Sequence, residues 1–136
     1  MNNPGIKDLG DLTITAAGTQ TTEWVDDLDG MTAVTLQARF AYGSGGAAVL
    51  VFIQTSIDQG TTPVDIACFG FDTASAVELV NLSGLAADES VVTPTDGALG
   101  AGYVVDGILG DRLRVKVVST EVYAGSTLVS VRAAVR

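Results

Sequence analysis

The sequence predicts an all-β protein, a single-domain antiparallel β-sandwich that is jelly-roll-like and has about eight strands. Apolar and polar residues alternate with a period of two along several stretches, and glycine-containing turns separate these stretches. No stretch shows a helical period of comparable strength. The 136 residues, 47% of them hydrophobic, suffice for one domain with its own core. Residues 1–12 are assigned to a polar N-terminal arm that orders on a partner, and residues 13–136 to the sandwich.

The N-terminal half supplies the first predicted strands. Residues 12–16 and 22–25 are expected to form an opening hairpin. In residues 32–42 the even positions are mostly apolar and the odd positions include polar side chains, which predicts a strand with one buried face. Residues 47–55 are apolar on both faces. That pattern is typical of a central strand, or of one that a partner covers on its outer side.

The C-terminal half follows the same pattern. Asp58, Gln59 and Gly60 predict a hairpin turn, because aspartate and glycine tolerate the backbone angles that such turns require. Residues 84–102 lack strand alternation and are expected to form a long loop, of a length at which loops are often functional. Five further strands are predicted at residues 64–71, 76–82, 102–108, 113–120 and 127–135.

The chain contains no histidine and a single cysteine, Cys68. Histidine is the usual general acid–base group and a common zinc ligand, so neither a Ser-His-Asp nor a Cys-His catalytic arrangement can be built. We therefore predict that the protein is not an enzyme and uses no cofactor or metal ion. Cys68 lies in an apolar stretch and is expected in the core. A lone cysteine and an N-terminus without a signal-peptide pattern predict synthesis and folding in a cytoplasm.

The chain is acidic, with a formal net charge of −9. This charge argues against nucleic acid and against anionic membrane surfaces as partners. Three of the acids, Asp26, Asp27 and Asp29, lie close together before a glycine. We interpret them as a solvated turn between strands. A calcium site and a pair of glycosidase carboxylates are the alternatives.

Basic residues concentrate near the C-terminus. Arg112, just before the predicted strand 113–120, and Arg114 and Lys116 within it alternate with apolar residues, so they are expected to face outward. Arg132 lies on the closing strand. Such a stripe is typical of a docking face for an acidic partner, including a second copy of the chain. Arg114→Glu is then expected to weaken attachment and leave the fold intact. The alternative is an ordinary solvated sheet face with cross-strand charge pairs.

Several strings resemble a known family. They are residues 22–31, which run into 34–40, then 54–62, 65–69, 93–99 and 110–116. Together they resemble small structural proteins encoded in the virion modules of tailed bacteriophages and of alphaproteobacterial prophages. The resemblance extends from Thr22 to the end of the chain. Relatives often carry an aromatic residue where Pro63 stands here, and no catalytic motif is part of the pattern.

The resemblance implies a virion component with a β-sandwich fold. It points to a capsid decoration (cement) protein that binds the outer surface of the major capsid protein lattice and stabilises the head. Such a protein is expected to be a homo-oligomer, with a trimer as the assumed state, and to reach the capsid exterior after synthesis in the host cytoplasm. The alternatives are a tail or head–tail junction component and a glycan-binding adhesion module, for which Trp24 and the 84–102 loop are the candidate site.

Overall fold

The computed structural model describes residues 4–136, which form ten β-strands and no helix. The first sheet has the strand order β1-β10-β3-β7, the second has the order β2-β8-β5-β6, and β4 and β9 make a short two-stranded sheet. All strand pairs are antiparallel, which confirms the predicted all-β antiparallel sandwich. The strands are β1 (Gly5–Thr13), β2 (Gly18–Thr21), β3 (Ala33–Ala41), β4 (Ser44–Gly45), β5 (Ala48–Thr55), β6 (Val64–Phe71), β7 (Ala76–Ser83), β8 (Leu113–Thr120), β9 (Tyr123–Ala124) and β10 (Leu128–Val135).

The core lies between the inner faces of the two four-stranded sheets. Val34, Leu36, Ala38 and Phe40 of β3 are all buried, and alternate residues of β8 and β10 are buried in the same way. Phe40 stacks on Phe71 of the opposite sheet with ring centroids 5.1 Å apart, so aromatic packing joins the two layers. The predicted inward and outward phases of β3 and β8 are confirmed. Within residues 4–136 no helix is long and apolar enough to cross a membrane.

Strand β5 is central, as its sequence predicted, with β8 on one side and β6 on the other. Val51 and Ile53 belong to the core, while Phe52 on the opposite face of the strand is buried as well. The cover on that outer side comes from the long loop between β7 and β8. This loop lies so close to β6 that a Cβ added to Gly70 would come within 2.9 Å of the Ala101 Cβ. On β5 itself, the Gln54 side chain donates to Asp96 of the same loop at 2.8 Å. A segment of the chain therefore covers β5, where the sequence also allowed a partner to do so.

The assignment of residues 1–12 to an arm outside the sandwich needs correction. From Gly5 onward this segment is strand β1, paired along its length with β10; Met1–Asn3 lie outside the described residues. A β-bulge between Asp8 and Gly10 shifts the phase, and Leu9 at the bulge enters the core. The sequence of β1 is polar and irregular for two reasons. The bulge breaks the period of two, and one face of this edge strand is exposed to solvent.

The predicted opening hairpin of residues 12–16 and 22–25 is wrong. β1 belongs to the first sheet, whereas β2 pairs with β8 in the second sheet. The chain crosses between the sheets at Ile14, which is completely buried. Beyond β2 the chain continues beside β8, where Val25 and Leu113 exchange backbone hydrogen bonds of 2.8 and 3.0 Å. Each segment was recognised as extended, but its partner lies far away in the sequence.

The strand predicted at residues 102–108 is not formed. The segment contacts β6 through one isolated bridge, between Val104 and Ala67, and three backbone hydrogen bonds around it, without forming a strand. Gly102 and Gly107 have positive φ angles of 82° and 88°, which a regular strand does not accommodate. The predicted 84–102 loop is confirmed as free of regular strand and helix, and it continues to Arg112. This long loop supplies most of the contacts that distinguish the two outer faces of the sandwich.

Candidate interaction surfaces

The outer face of the second sheet is covered by residues 95–99, here called the cover loop, and Asp65 of β6 holds it in place. The buried Asp65 carboxylate accepts hydrogen bonds from the backbone N–H groups of Gly97, Ala98 and Leu99 at 2.8–3.2 Å. The Thr95 hydroxyl donates to the same carboxylate at 2.8 Å. In return, the Asp65 N–H donates to the Thr95 carbonyl at 3.0 Å. Asp65 thus makes hydrogen bonds with four of the five cover-loop residues.

A polar network extends from Asp65 across the covered face. The Gln54 side-chain amide donates to Asp65 and to Asp96, each at 2.8 Å, and its Oε1 accepts a hydrogen bond from the Arg114 Nε at 2.8 Å. The Lys116 Nζ contacts Asp96 at 3.0 Å. Among residues 4–136 no buried side-chain nitrogen or oxygen lacks a partner, so the network is fully satisfied. It holds the cover loop in one geometry.

Both carboxylates of this network have lowered pKa values. Burial is the strongest influence on Asp65 and would raise its pKa, but the hydrogen bonds from Gln54 and the cover loop together outweigh it. The pKa of Asp96 is lowered first by the hydrogen bond from Gln54 and then by that from Lys116. Both groups are therefore ionised at neutral pH, where they accept the full set of hydrogen bonds.

The structure assigns the predicted docking residues Arg114, Lys116 and Trp24 to this covered face. Arg114 points outward from β8 as predicted, but its guanidinium lies 4.4 Å above the Trp24 ring and only 17% of its side chain is exposed. The Lys116 side chain is 20% exposed against Asp96. The charge pairs of this face join β8 to Asp96 of the cover loop, so it is not the solvated sheet face with cross-strand pairs that was the alternative. Because these side chains bind the chain's own loop, we now expect Arg114→Glu to destabilise the fold, whereas the sequence alone predicts an intact one.

The other two predicted docking residues lie elsewhere. Arg112 precedes β8 and pairs with its neighbour Asp111 at 2.8 Å. Arg132 lies on β10 in the first sheet, where it contacts Asp8 at 2.9 Å and Asp11 at 3.2 Å. These ion pairs connect edge strand β1 to β10. The five residues therefore form no single basic surface, because the stripe is divided between two sheets and each member is paired.

The acidic turn is solvent-exposed. Asp26, Asp27 and Asp29 are all exposed, while Leu28 between them is buried and donates its N–H to the Asp111 carbonyl at 3.0 Å. Asp27 has a positive φ of 59°, which suits a turn aspartate. Within the described part of the chain, no three carboxylate, thiol or imidazole groups come close enough to hold a metal ion. The geometry is that of a turn anchored by an apolar residue.

The outer face of the first sheet, here called the open face, is covered by no loop within residues 4–136. Two cross-strand rows cross it. One row contains Ile6, Ala134 and Thr35, and the other Asp8, Arg132, Gln37 and Leu79. Ile6 and Leu79 are 72% and 61% exposed on opposite edge strands. Between them lies a shallow groove of about 330 Å³ whose lining residues are Ile6, Thr35, Gln37, Leu79, Arg132 and Ala134.

Sequence reasoning missed both the anchor of the covered face and the open face. Asp65 is the one acid in an otherwise apolar stretch, and a buried carboxylate must find donors, so its position was a usable signal. Ile6 gives no signal, because the bulge in its strand interrupts the alternation that would reveal it as a strand. Leu79 was assigned correctly to a strand, but the exposure of that strand depends on which segments cover its neighbours.

Cys68 is buried as expected, and burial is the main cause that raises the pKa of its thiol to about 11. The thiol is therefore protonated and unreactive in the folded protein. Comparison of the chain with protein-family models, with curated proteins and with solved structures finds no match in any of the three.

Proposed function

We propose that this protein is a non-enzymatic virion structural protein, a capsid decoration protein that binds the outer surface of the major capsid protein lattice. The observation that carries the proposal is the contrast between the two outer faces of the sandwich. One face is fixed beneath the protein's own cover loop, and the other is open and carries exposed Ile6 and Leu79. An exposed apolar groove on a rigid sheet is a surface suited to docking.

The dimensions of the open face support attachment to a flat surface. Ile6 and Leu79 lie on β1 and β7, three strand spacings or roughly 14 Å apart. Ala134 and Thr35 lie between them, together with Gln37 and with Arg132, whose charge is paired with Asp8 and Asp11. Complete burial of an isoleucine or leucine side chain contributes about 1.5–3 kcal/mol. Two such anchors per copy give a modest affinity that many copies on a lattice would multiply.

We also propose a jelly-roll strand connectivity and an oligomeric state for this protein. The order β1-β10-β3-β7 packed against β2-β8-β5-β6 supports a jelly-roll connectivity, in which the chain passes repeatedly from one sheet to the other. We propose a homo-oligomer, a trimer at local threefold positions, with each open face on the lattice. The protein would be made in the host cytoplasm and would end on the capsid exterior.

The test is attachment to capsids. Purified protein is mixed with empty expanded capsids from a phage or prophage that encodes the chain, and bound protein is measured after sedimentation. The proposal expects a fixed ratio to the major capsid protein. Ile6→Asp should weaken binding about thirtyfold, since about 2 kcal/mol of apolar burial is lost. Val122→Asp is the matched control, because Val122 is 66% exposed and outside the groove.

Virion imaging decides the location. Antibody labelling of intact particles should decorate the head surface. Labelling confined to tails would overturn the head assignment in favour of a tail or junction component. Equal capsid binding by the native protein, Ile6→Asp and Val122→Asp would refute the open face as the docking surface.

A further inference from the structure

Strand β7 has one edge that no other strand pairs with. It is the last strand of the first sheet and pairs only with β3. Beyond its end, Gly84 donates its N–H to the Thr32 carbonyl at 2.7 Å. Because hydrogen-bonded pairs alternate along an antiparallel ladder, the even-numbered residues of β7 bond to β3 and the odd-numbered residues direct their N–H and C=O groups away from it.

Ser83 demonstrates this phase, and it also shows where the free edge ends. Its N–H donates to the Asp106 carboxylate at 2.7 Å, and its carbonyl accepts a hydrogen bond from the Gly107 N–H at 3.0 Å. The chain thus caps one odd-numbered residue of the edge with its own loop. The preceding residues of the same phase have no such cap within residues 4–136, and they are Val77, Leu79 and Asn81.

The facing edge of the second sheet is closed. Cys68 of β6 exchanges backbone hydrogen bonds with the loop, donating to Tyr103 at 3.1 Å and accepting from Gly102 at 2.8 Å. The Val105 N–H donates to the Ile66 carbonyl at 2.9 Å. On this side of the sandwich one edge is therefore occupied by the protein's own loop, and the opposite edge is open along three residues.

A small cleft with an unpaired acid lies between these two edges. Its volume is about 180 Å³, and Glu78 and Val80 of β7 face Phe69 and Tyr103 across it. Glu78 is exposed and forms no ion pair or side-chain hydrogen bond within the described chain. Its negative charge reaches the floor of the cleft, where it contributes, after burial and Asp65, to the raised pKa of Cys68. The cleft combines apolar walls with one free carboxylate.

We propose that β7 accepts an extended segment of a partner protein as an added strand, with a lysine or arginine side chain of that segment in the cleft against Glu78. The free backbone groups of Val77, Leu79 and Asn81 supply the main-chain hydrogen bonds. Side chains of a strand alternate between faces, so the neighbours of the cation lie over the exposed Val77 and Leu79 and should be apolar. The recognised pattern is apolar, cationic, apolar.

Charge favours such a partner over a second copy of this chain. Two copies paired with Glu78 opposite Glu78 would place like charges face to face, and each copy carries a net charge of −9. A cationic segment instead supplies the charge that Glu78 lacks. This inference does not depend on the capsid assignment: Leu79 borders both surfaces, but Glu78 and the cleft lie outside the groove at Ile6.

The test uses a synthetic peptide, acetyl-Ser-Thr-Val-Lys-Val-Thr-Ser-amide, titrated into the isotope-labelled full chain and followed by NMR. The amide signals of Val77, Leu79 and Asn81 should shift. Replacing the peptide lysine by norleucine, or Glu78→Gln in the protein, should weaken binding about fivefold, the size expected for a partly exposed ion pair. Glu78→Lys should reverse the preference, so that a peptide with glutamate in place of lysine binds better. Glu23→Lys, at an exposed acid in the segment that follows β2, is the matched control.

A second peptide keeps the test independent of any change in the protein. N-methylation of the two valines removes backbone donors and should abolish binding if the peptide adds as a strand. The proposal is overturned if lysine and glutamate peptides bind equally, if the methylated peptide binds undiminished, or if no peptide shifts the β7 signals. It is also overturned if sedimentation shows a dimer that Glu78→Lys dissociates, since β7 would then belong to a second copy.

Discussion

Asp65→Asn should release the cover loop. The carboxylate accepts hydrogen bonds from Gln54, Thr95, Gly97, Ala98 and Leu99. An asparagine keeps one acceptor oxygen, but its amide nitrogen meets another donor. Gln54 cannot turn its own amide to compensate, because its Oε1 already accepts from Arg114. A hydrogen bond to a charged group contributes about 1.5–3 kcal/mol against about 1 kcal/mol for a neutral one, so we expect the loop to lose about 3 kcal/mol of attachment.

The lone thiol reports this release directly. Cys68 is 3% exposed beneath the loop that continues from residues 95–99, and it is the only cysteine of the chain. If the loop opens as a unit, a loss of about 3 kcal/mol of attachment makes the open state about a hundredfold more populated. The thiol should then react with an excess of a pyridyl disulfide about a hundredfold faster. Asp29→Asn, an isosteric change at an exposed turn, should leave the rate unchanged. A native-like rate in Asp65→Asn would refute the role of Asp65 as the anchor.

Two further outcomes follow from the same network. Arg114→Glu should lower the free energy of unfolding, measured in urea, by about 3 kcal/mol, because it removes the contacts with Trp24 and Gln54 and places a second carboxylate beside Asp96. The control is Arg39→Glu, at an exposed arginine. Equal urea midpoints for the two variants would contradict the network. The pKa values of Asp65 and Asp96 are lowered in the folded state. Their contribution to stability is therefore complete above the unfolded-state pKa of about 3.9, and it is lost as the pH falls through their folded-state pKa values. The free energy of unfolding, measured in urea, should therefore fall below about pH 4. It should fall less steeply in Asp65→Asn than in the native protein.

The parts of the fold that the sequence predicts are those in which the period of two runs uninterrupted. β3, β8 and β10 have clean alternation, because one face packs on the core and the other does not. The alternation does not predict β1 as a strand, because the bulge at Asp8–Gly10 breaks its period of two. The hairpin predicted from residues 12–16 and 22–25 is not formed for a different reason. The sequence indicates extended segments there, but their pairing with strands about a hundred residues away depends on the whole topology.

The candidate surfaces were less predictable than the strands. The outward direction of Arg114 follows from local alternation and is correct. Whether that direction leads to solvent depends on the cover loop, whose attachment to Asp65 joins residues about thirty positions apart. A local pattern contains no information about such a contact. The lone acid in the apolar strand β6 was the one available sign that something polar had to cover it.

The position of β10 determines when this molecule can fold during synthesis. β10 lies between β1 and β3, both of which leave the ribosome long before it. Until residues 128–135 emerge, the first sheet lacks its second strand, and the inner residues of β1 and β3 have no neighbour to complete the core. The nascent chain therefore presents unpaired, apolar strands until β10 has been made. We expect the yield of native protein to depend on chaperones that bind extended apolar segments, and truncation before β10 to give aggregates.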